Sequence, residues 1–492
     1  MKTLLLLLII ICQISTDLYS QGYNNLWLMG YENYSPLPWG ATNIDFITGI
    51  PNAYFEPNRT MQLQFTDVNV TDSLGNILFY SNGAWIANKN NQLMLNGDSL
   101  NPSYYTNSRY QRGLRLIESH IPLFIAGNDS IYYLIHNTFD FGQAIFDDKT
   151  YYSIINLKGD SGNGSVIEKN HVFLRDTITM QIAACKHANG RDWWIVVPEF
   201  NHPNYNIFLL SPNGINFSSK QTIGTRTTSA GQAVFSRDGS FYASYDVLTD
   251  LELFDFDRCS GAFSNARHVA INDSMNGIGV SVSPNGRFIY ASSGKYLYQF
   301  DVNNLQNYQT VAVWDSFYSP SPPFATLFFT QELMQDNKIY INTGNGTDYL
   351  HVINYPDSLG LACNLVQHYV HLPTYNVSST PFYPNYSLGP VVGSICDSLT
   401  VGILNTTIKS AALRINPNPC KENVWINYHF PNNKDGWLEI YNSLGKLIIK
   451  QRLYWSTTQL LLHVNDLSAG IYFVHVYDDS RMYMGTSKLI KN

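Results

Sequence analysis

The stretch Ala233-Val234-Phe235-Ser236-Arg237-Asp238-Gly239-Ser240-Phe241-Tyr242-Ala243 reads as strand, tight turn and strand. Apolar and aromatic residues favour a pleated, half-buried backbone, and the Asp-Gly pair between them supplies the positive φ that a short turn demands. Leu251 to Asp257 adds a third strand before a turn at Cys259-Ser260-Gly261, and Val280 to Ala291 repeats the pattern around Ser283-Pro284-Asn285-Gly286 before Tyr296 to Asp301. Working outward, a turn leading into an aromatic strand recurs with anchors at residues 75, 129, 190, 239, 286 and 337, spaced by 54, 61, 49, 47 and 51 residues. Four-stranded blades of about 40–50 residues, with loop insertions in the early ones, have this period. The sequence therefore predicts an all-β chain whose body is a β-propeller. Its 34 Tyr, 26 Phe and 9 Trp against 14% charged residues agree with strands over helices.

Beyond residue 413 the pattern changes. Ile415-Asn416-Pro417-Asn418-Pro419 suits a strand entry or edge, because two prolines lack N–H donors. Val424, Ile426, Tyr428 and Phe430 alternate onto one strand face, and Trp437 to Tyr441 and Lys446 to Leu453 flank the hairpin turn Asn442-Ser443-Leu444-Gly445. Asp466-Leu467-Ser468-Ala469-Gly470 feeds a strand placing Tyr472, Val474 and Val476 on one face, and the chain ends Lys488-Leu489-Ile490-Lys491-Asn492. In this order, the pieces carrying Pro417, Asn418, Pro419, Gly445, Gly470, Tyr472, Lys488 and Lys491 closely resemble the type A C-terminal sorting domain of type IX secretion substrates. Asn416 stands where that family often has an aromatic. The resemblance implies a small C-terminal β-sandwich over residues 414–492, recognised by the type IX secretion machinery at the outer membrane and commonly removed on export.

The amino terminus also reads as an export signal: Met1-Lys2 supplies a positive charge, Leu4 to Ile11 an apolar run, and Ser20-Gln21 a cleavage point, giving a signal peptide over residues 1–20. That run is too short for a transmembrane segment, which needs about 20 residues. Residues 22–398 form the expected propeller and 399–413 an exposed linker. Over the body the sequence resembles the seven-bladed, WD40-like propellers of exported and gliding-associated bacterial proteins. The resemblance rests on Phe79-Tyr80-Ser81-Asn82-Gly83, His187 to Trp194, Phe256 to Gly261, Leu359 to Asn364 and Asn385 to Pro390. It implies a seventh blade, completed by Leu26 to Tyr31 joining the C-terminal end of the body.

Charge is unevenly divided. Residues 414–492 hold nine Lys and Arg and six Asp and Glu, a net of +3, which leaves −10 on the rest. An acidic body argues against nucleic-acid binding, which needs clustered cations. Without Cys12, five cysteines remain: Cys185, Cys259, Cys363, Cys396 and Cys420. Cys363 and Cys396 are the expected disulfide, both in loop-like sequence, with Cys185 and Cys259 as buried thiols.

His187, Asp192, Trp193 and Trp194 make the most tempting catalytic cluster, but they fall at a blade turn and strand entry, where a structural role is expected. Asp147-Asp148 and Asp478-Asp479 lack calcium-loop spacing and read as turns. His120, His171, His202, His268 and His351 are scattered, with no metal, nucleophile or phosphate motif beside them. No catalytic residue, metal or cofactor is therefore assigned. Asp-Ser/Thr-apolar triplets at Asp72, Asp98, Asp129, Asp176, Asp273, Asp357 and Asp397 resemble the O-glycosylation acceptor pattern of such bacteria and equally suit Asp turns. The expected function is non-enzymatic: an exported propeller, secreted or at the cell surface, whose loops bind a surface protein or glycan. Tyr104-Tyr105, Tyr318 to Phe324 and Tyr383 to Tyr386 are the candidate loops. The rivals are a carbohydrate-active propeller enzyme of lyase or lactonase type, with acids and histidines gathered at the channel, and a structural part of an adhesion or gliding assembly.

Overall fold

The computed structural model describes residues 24–125, 128, 130–138, 147–228, 231–271, 273, 277–320, 323–397, 413–428, 430, 434–442, 446–479 and 483–492. The signal peptide, Ser20, Gln21, Gly445 and nearly all of the expected linker lie outside them. The chain divides into two compact units, Met1–Ser398 and Leu399–Asn492.

The first unit is a run of small antiparallel sheets, each made of consecutive strands. Their first strands are Leu26–Tyr31, Val68–Thr71, His120–Phe124, Ala183–Lys186, Gly231–Phe235, Gly279–Val282 and Gln331–Leu333. The first two sheets show three strands among the described residues and the other five show four. First strands of adjacent sheets touch from the first sheet to the third and from the fourth to the seventh, so they gather on the inside, while last strands lie outside. Burial follows this order. In the fifth sheet Gly231–Phe235 is mostly buried and Ala262–Val269 mostly exposed, with Arg267 and His268 along a free edge that charge keeps from pairing with another chain. This is a propeller.

Each of the six repeat turns joins the first and second strands of one sheet, from the second to the seventh. Gly239 has φ +73°, and a Cβ there would stand 2.7 Å from both Arg258 Cδ and Cys185 Sγ, so the turn needs glycine for conformation and for space. The first sheet carries no such signal, because Gly40–Asp45 follows a proline-containing connection through Pro36 and Pro38.

Closure differs from the expected shared blade. Leu26–Tyr31 opens its own sheet with Gly40–Asp45 and Asn52–Phe55, and the last strand of the seventh sheet, Leu365–Asn376, packs against all three. Thr374 Oγ1 donates to Gly40 O at 3.0 Å, and the amide of Tyr375 donates to Pro38 O at 2.8 Å. Between the two sheets Trp27, Phe46 and Tyr340 form a triangle of edge-to-face rings with centroids 5.0–5.8 Å apart. Each such pair contributes about 0.5–1.5 kcal/mol beyond burial. The seam is therefore sealed by packed side chains.

Residues 378–397 return across the inside of the ring. Tyr383 donates from its hydroxyl to Asn69 Oδ1 at 2.8 Å and Tyr386 to Pro122 O at 2.7 Å, both rings being buried. The amide of Val391 donates to Ala188 O at 2.8 Å. This path corrects the expected disulfide: Cys396 is bonded to Cys259, with Cα atoms 5.7 Å apart. Cys363 is a free, buried thiol packed with Phe288, Tyr290 and Ile353. The tail passes the fifth-sheet turn that carries Cys259, a neighbour that separation along the chain conceals. Cys185 is a buried free thiol.

The second unit holds two sheets, ordered Arg414–Asn416, Asn423–Asn427, Gln459–His463 and Leu447–Leu453, Gly436–Asn442, Gly470–Asp478, Tyr483–Lys491. Val424, Ile426, Tyr428, Phe430, Tyr472, Val474 and Val476 share one buried cluster, as their alternation predicts.

Candidate functional site

The ordered pieces at the C-terminus meet in space. Pro417-Asn418-Pro419 is exposed, and its prolines cannot continue the ladder begun at Arg414–Asn416. Asn418 instead uses its side chain: Nδ2 donates to Lys488 O at 2.5 Å, and Oδ1 accepts from the amide of Ile490 at 2.8 Å. The amide of Cys420 donates to Ile490 O at 2.8 Å, and that of Asn492 to Cys420 O at 2.9 Å. Gly470 lies in register with Lys491, and Tyr472 with Leu489. Thus Pro417, Asn418, Pro419, Gly470, Lys488 and Lys491 come together along the last strand. Tyr472 is buried, its hydroxyl donating to Ser468 O at 2.9 Å, so it supports this edge from beneath.

The His187 cluster is structural. Asn189 donates through its amide to His187 Nδ1 at 3.0 Å, and Arg191 pairs with Asp192 at 2.7 Å. Trp193 and Trp194 are both buried and donate from their indole nitrogens to Phe124 O and Arg258 O at 2.7 and 2.8 Å. Asp147 and Asp148 open the strand Asp147–Asn156, and Asp478 ends a strand and is buried, which corrects the turns expected at these three; Asp148 pairs with Lys149, and Asp479, at a turn, with Arg452. The loop candidates separate: Tyr104-Tyr105 opens a short helix, Tyr104–Arg109, with Tyr104 exposed and Tyr105 buried; Tyr318 and Phe324 are exposed; Tyr383 and Tyr386 are core.

At the ring's inner wall, near the starts of the first strands, Asp67, Glu118 and Glu332 border one cavity of about 10 Å³ with His120 and Gln232. Glu118 Oε2 accepts from the amide of Ala233 at 2.7 Å, and among the described residues neither oxygen of Asp67 has a hydrogen-bond partner. Burial pushes all three carboxyls well above their usual range, favouring their protonated forms, while the Arg59 guanidinium opposes this at Asp67. Among the described residues no group of three His, Cys, Asp or Glu side chains is placed to hold a metal. A space of this size admits a water molecule and no sugar.

Beside it a buried polar chain runs Ser119–His120–Asn101–His136–Ser153. Asn101 Nδ2 bonds to His120 Nε2 at 2.8 Å and Oδ1 to His136 Nδ1 at 2.6 Å; Ser119 and Ser153 close the ends at 2.6 and 2.9 Å. Burial lowers both imidazoles, His120 to about 3, and neutral rings satisfy every donor in the chain. Sequence reasoning missed His136 and Asn101: a lone histidine in an apolar strand has no local cue for a partner 35 residues away.

Residues 414–492 match the family described as the secretion system C-terminal sorting domain. No curated protein sequence matches the chain. Similar solved structures include candidate 6-phosphogluconolactonases from Bacteroides uniformis (14% identity, 71% of this chain and 97% of that chain, TM-score 0.42) and Bacteroides fragilis (10%, 73%, 98%, 0.44). Another is a gluconolactonase from Xanthomonas campestris (12%, 64%, 92%, 0.31). Among the described residues no helix is long and apolar enough to cross a membrane. The convergent Pro-Asn-Pro and terminal-lysine edge thus belongs to a secretion system C-terminal sorting domain, which marks the chain for export.

Proposed function

We propose that this chain is an exported, seven-bladed β-propeller that binds a surface protein or glycan without catalysis, carried out of the cell by the type IX secretion machinery. The observation that carries the export half is the family match over residues 414–492, of which Pro417, Asn418, Pro419, Gly470, Lys488 and Lys491 meet along the last strand. Residues 1–20 act as a signal peptide cut between Ser20 and Gln21, and residues 399–413 link the two parts. For the body, seven successive sheets supply the blades, and exposed aromatics such as Tyr104, Phe317, Tyr318 and Phe324 supply contact area at its loops. The enzymatic reading has one observation in its favour, the three axial carboxyls. Burial favours their protonated forms, and the cavity that all three share, of about 10 Å³, admits no sugar, although Glu332 also borders a larger cavity of about 100 Å³. The test is secretion of the full chain and of a chain lacking residues 414–492, followed by protein and glycan arrays probed with the exported body. Retention of the truncated chain and a specific array signal support the proposal. Undiminished release of the truncated chain removes the export half, and turnover of an arrayed glycan removes the binding half.

A further inference from the structure

The connection between the second and third sheets carries a cavity of about 300 Å³ at the surface, walled by residues 107–112 and Arg115. We propose that it binds an acidic sugar chain, bearing uronate or sulfate ester groups, through Arg109, Arg112 and Arg115. The proposal names the ligand class within the binding reading above and rests on it.

Residues 99–117 hold these three arginines, three positions apart, and no Asp or Glu, although the body as a whole is acidic. Their guanidinium groups are positioned but hardly used. Arg109 lies over the Tyr105 ring and Arg115 over that of Phe65, each 5.9 Å from the centroid. Among the described residues neither side chain makes a hydrogen bond or an ion pair. Arg112 meets one carboxylate, Glu32, at a loose 3.9 Å with both side chains exposed. The Asp98 carboxylate, felt at Tyr110, is committed to Lys169 at 2.9 Å. Each arginine therefore keeps a fork of N–H donors for an anion with paired oxygens, such as carboxylate or sulfate.

The arginines sit on a well-tied support. Ser103 caps the helix Tyr104–Arg109 through the amide of Thr106 at 3.0 Å, the amides of Arg112 and Gly113 both donate to Arg109 O at 2.9 Å, and that of Leu114 donates to Asn82 O at 3.0 Å. Tyr105, Leu114 and Leu116 pack together as a small buried cluster. Groups already held in place lose less freedom when a ligand binds. The rest of the wall favours a sugar over an acidic peptide, because it has no aliphatic side chain to receive a peptide's apolar groups. Asn107 and Gln111 are exposed, and their side-chain amides bond nothing among the described residues, so they suit sugar hydroxyls. Tyr110, half-buried and stacked on Trp85 with centroids 6.4 Å apart, adds a ring against which the C–H face of a sugar packs.

The full exported chain is tested by biolayer interferometry against polygalacturonate, dextran sulfate, neutral dextran and poly-glutamate. It is compared as wild type, as Arg109→Gln with Arg115→Gln, and as Arg226→Gln, an exposed arginine outside the cavity. Expected is saturable binding to polygalacturonate, dextran sulfate or both, falling as salt rises, weakened about tenfold or more in the double variant and unchanged in Arg226→Gln. The polymer preferred tells uronate from sulfate ester. A measurement needing no variant is arginine modification by phenylglyoxal, read by mass spectrometry: the bound polymer slows labelling of Arg109, Arg112 and Arg115 and leaves Arg226 unchanged. No binding to either acidic polysaccharide, equal binding to dextran or poly-glutamate, equal weakening by Arg226→Gln, or unslowed labelling overturns the site. A protein or glycan array signal that the double variant retains then still upholds the broader binding reading.

Discussion

Breaking the Cys259–Cys396 bond tests the path of the returning tail. The bridge closes a segment of 137 residues. Chain entropy removed from the unfolded state by a loop of that length corresponds to about 5 kcal/mol of stability. Much of a typical domain's net stability is of that size. The assay is urea unfolding of the wild type with and without reductant, and of Cys396→Ala and Cys363→Ala. Reduced wild type and Cys396→Ala should unfold at similar, markedly lower urea, and reductant should not affect Cys396→Ala further. Cys363→Ala loses packing around Phe288 and Tyr290 and a hydrogen bond with the Tyr290 side chain, and should remain reductant-sensitive. Thiol titration of the unreduced, unfolded wild type should find Cys185, Cys363 and Cys420, with Cys259 and Cys396 appearing only after reduction. If Cys363→Ala abolishes reductant sensitivity and Cys396→Ala retains a disulfide, the tail does not pass the fifth sheet as described.

Four further outcomes follow from the interior and the sorting edge. Glu118 binds its proton more tightly folded than unfolded, so its contribution is present below the ordinary carboxyl range and lost as pH rises through the folded value, at about 1.4 kcal/mol per unit; Glu118→Gln should lose less stability than wild type between pH 5 and 7 in urea melts. His120 has the opposite sign: its depressed value makes stability present above the unfolded value near 6.5 and lost as pH falls toward about 3, again at about 1.4 kcal/mol per unit, and His120→Gln should flatten that slope. Gly239→Ala forces a left-handed residue against Arg258 and Cys185 and should cost about 1–3 kcal/mol, read as a lower urea midpoint. Asn418→Ala removes both side-chain bonds to the last strand and, at about 1 kcal/mol per bond, should speed amide exchange at Ile490 by about thirtyfold.

Local chemistry made much of this molecule legible. Asp-Gly, Asn-Gly and Asp-Asn turns set a repeat because few residues tolerate their backbone angles, and period-two alternation from Val424 to Phe430 located a strand's buried face before any contact was known. Such signals depend only on neighbours along the chain. The first sheet escaped because prolines replace its glycine turn, and Tyr104-Tyr105 escaped because Ser103 caps a helical turn through Thr106.

By itself, then, the sequence determined the strand grammar, the blade interval and the ordered sorting pieces, since each is written in residues a few positions apart. Only the tertiary structure decided that Cys396 meets Cys259, that Asn418 clasps the last strand, and that Asp67, Glu118 and Glu332 share one cavity. The reason is that closing a ring brings strands from separate blades to a common centre, and burial there sets charge and pairing through neighbours that no local pattern encodes.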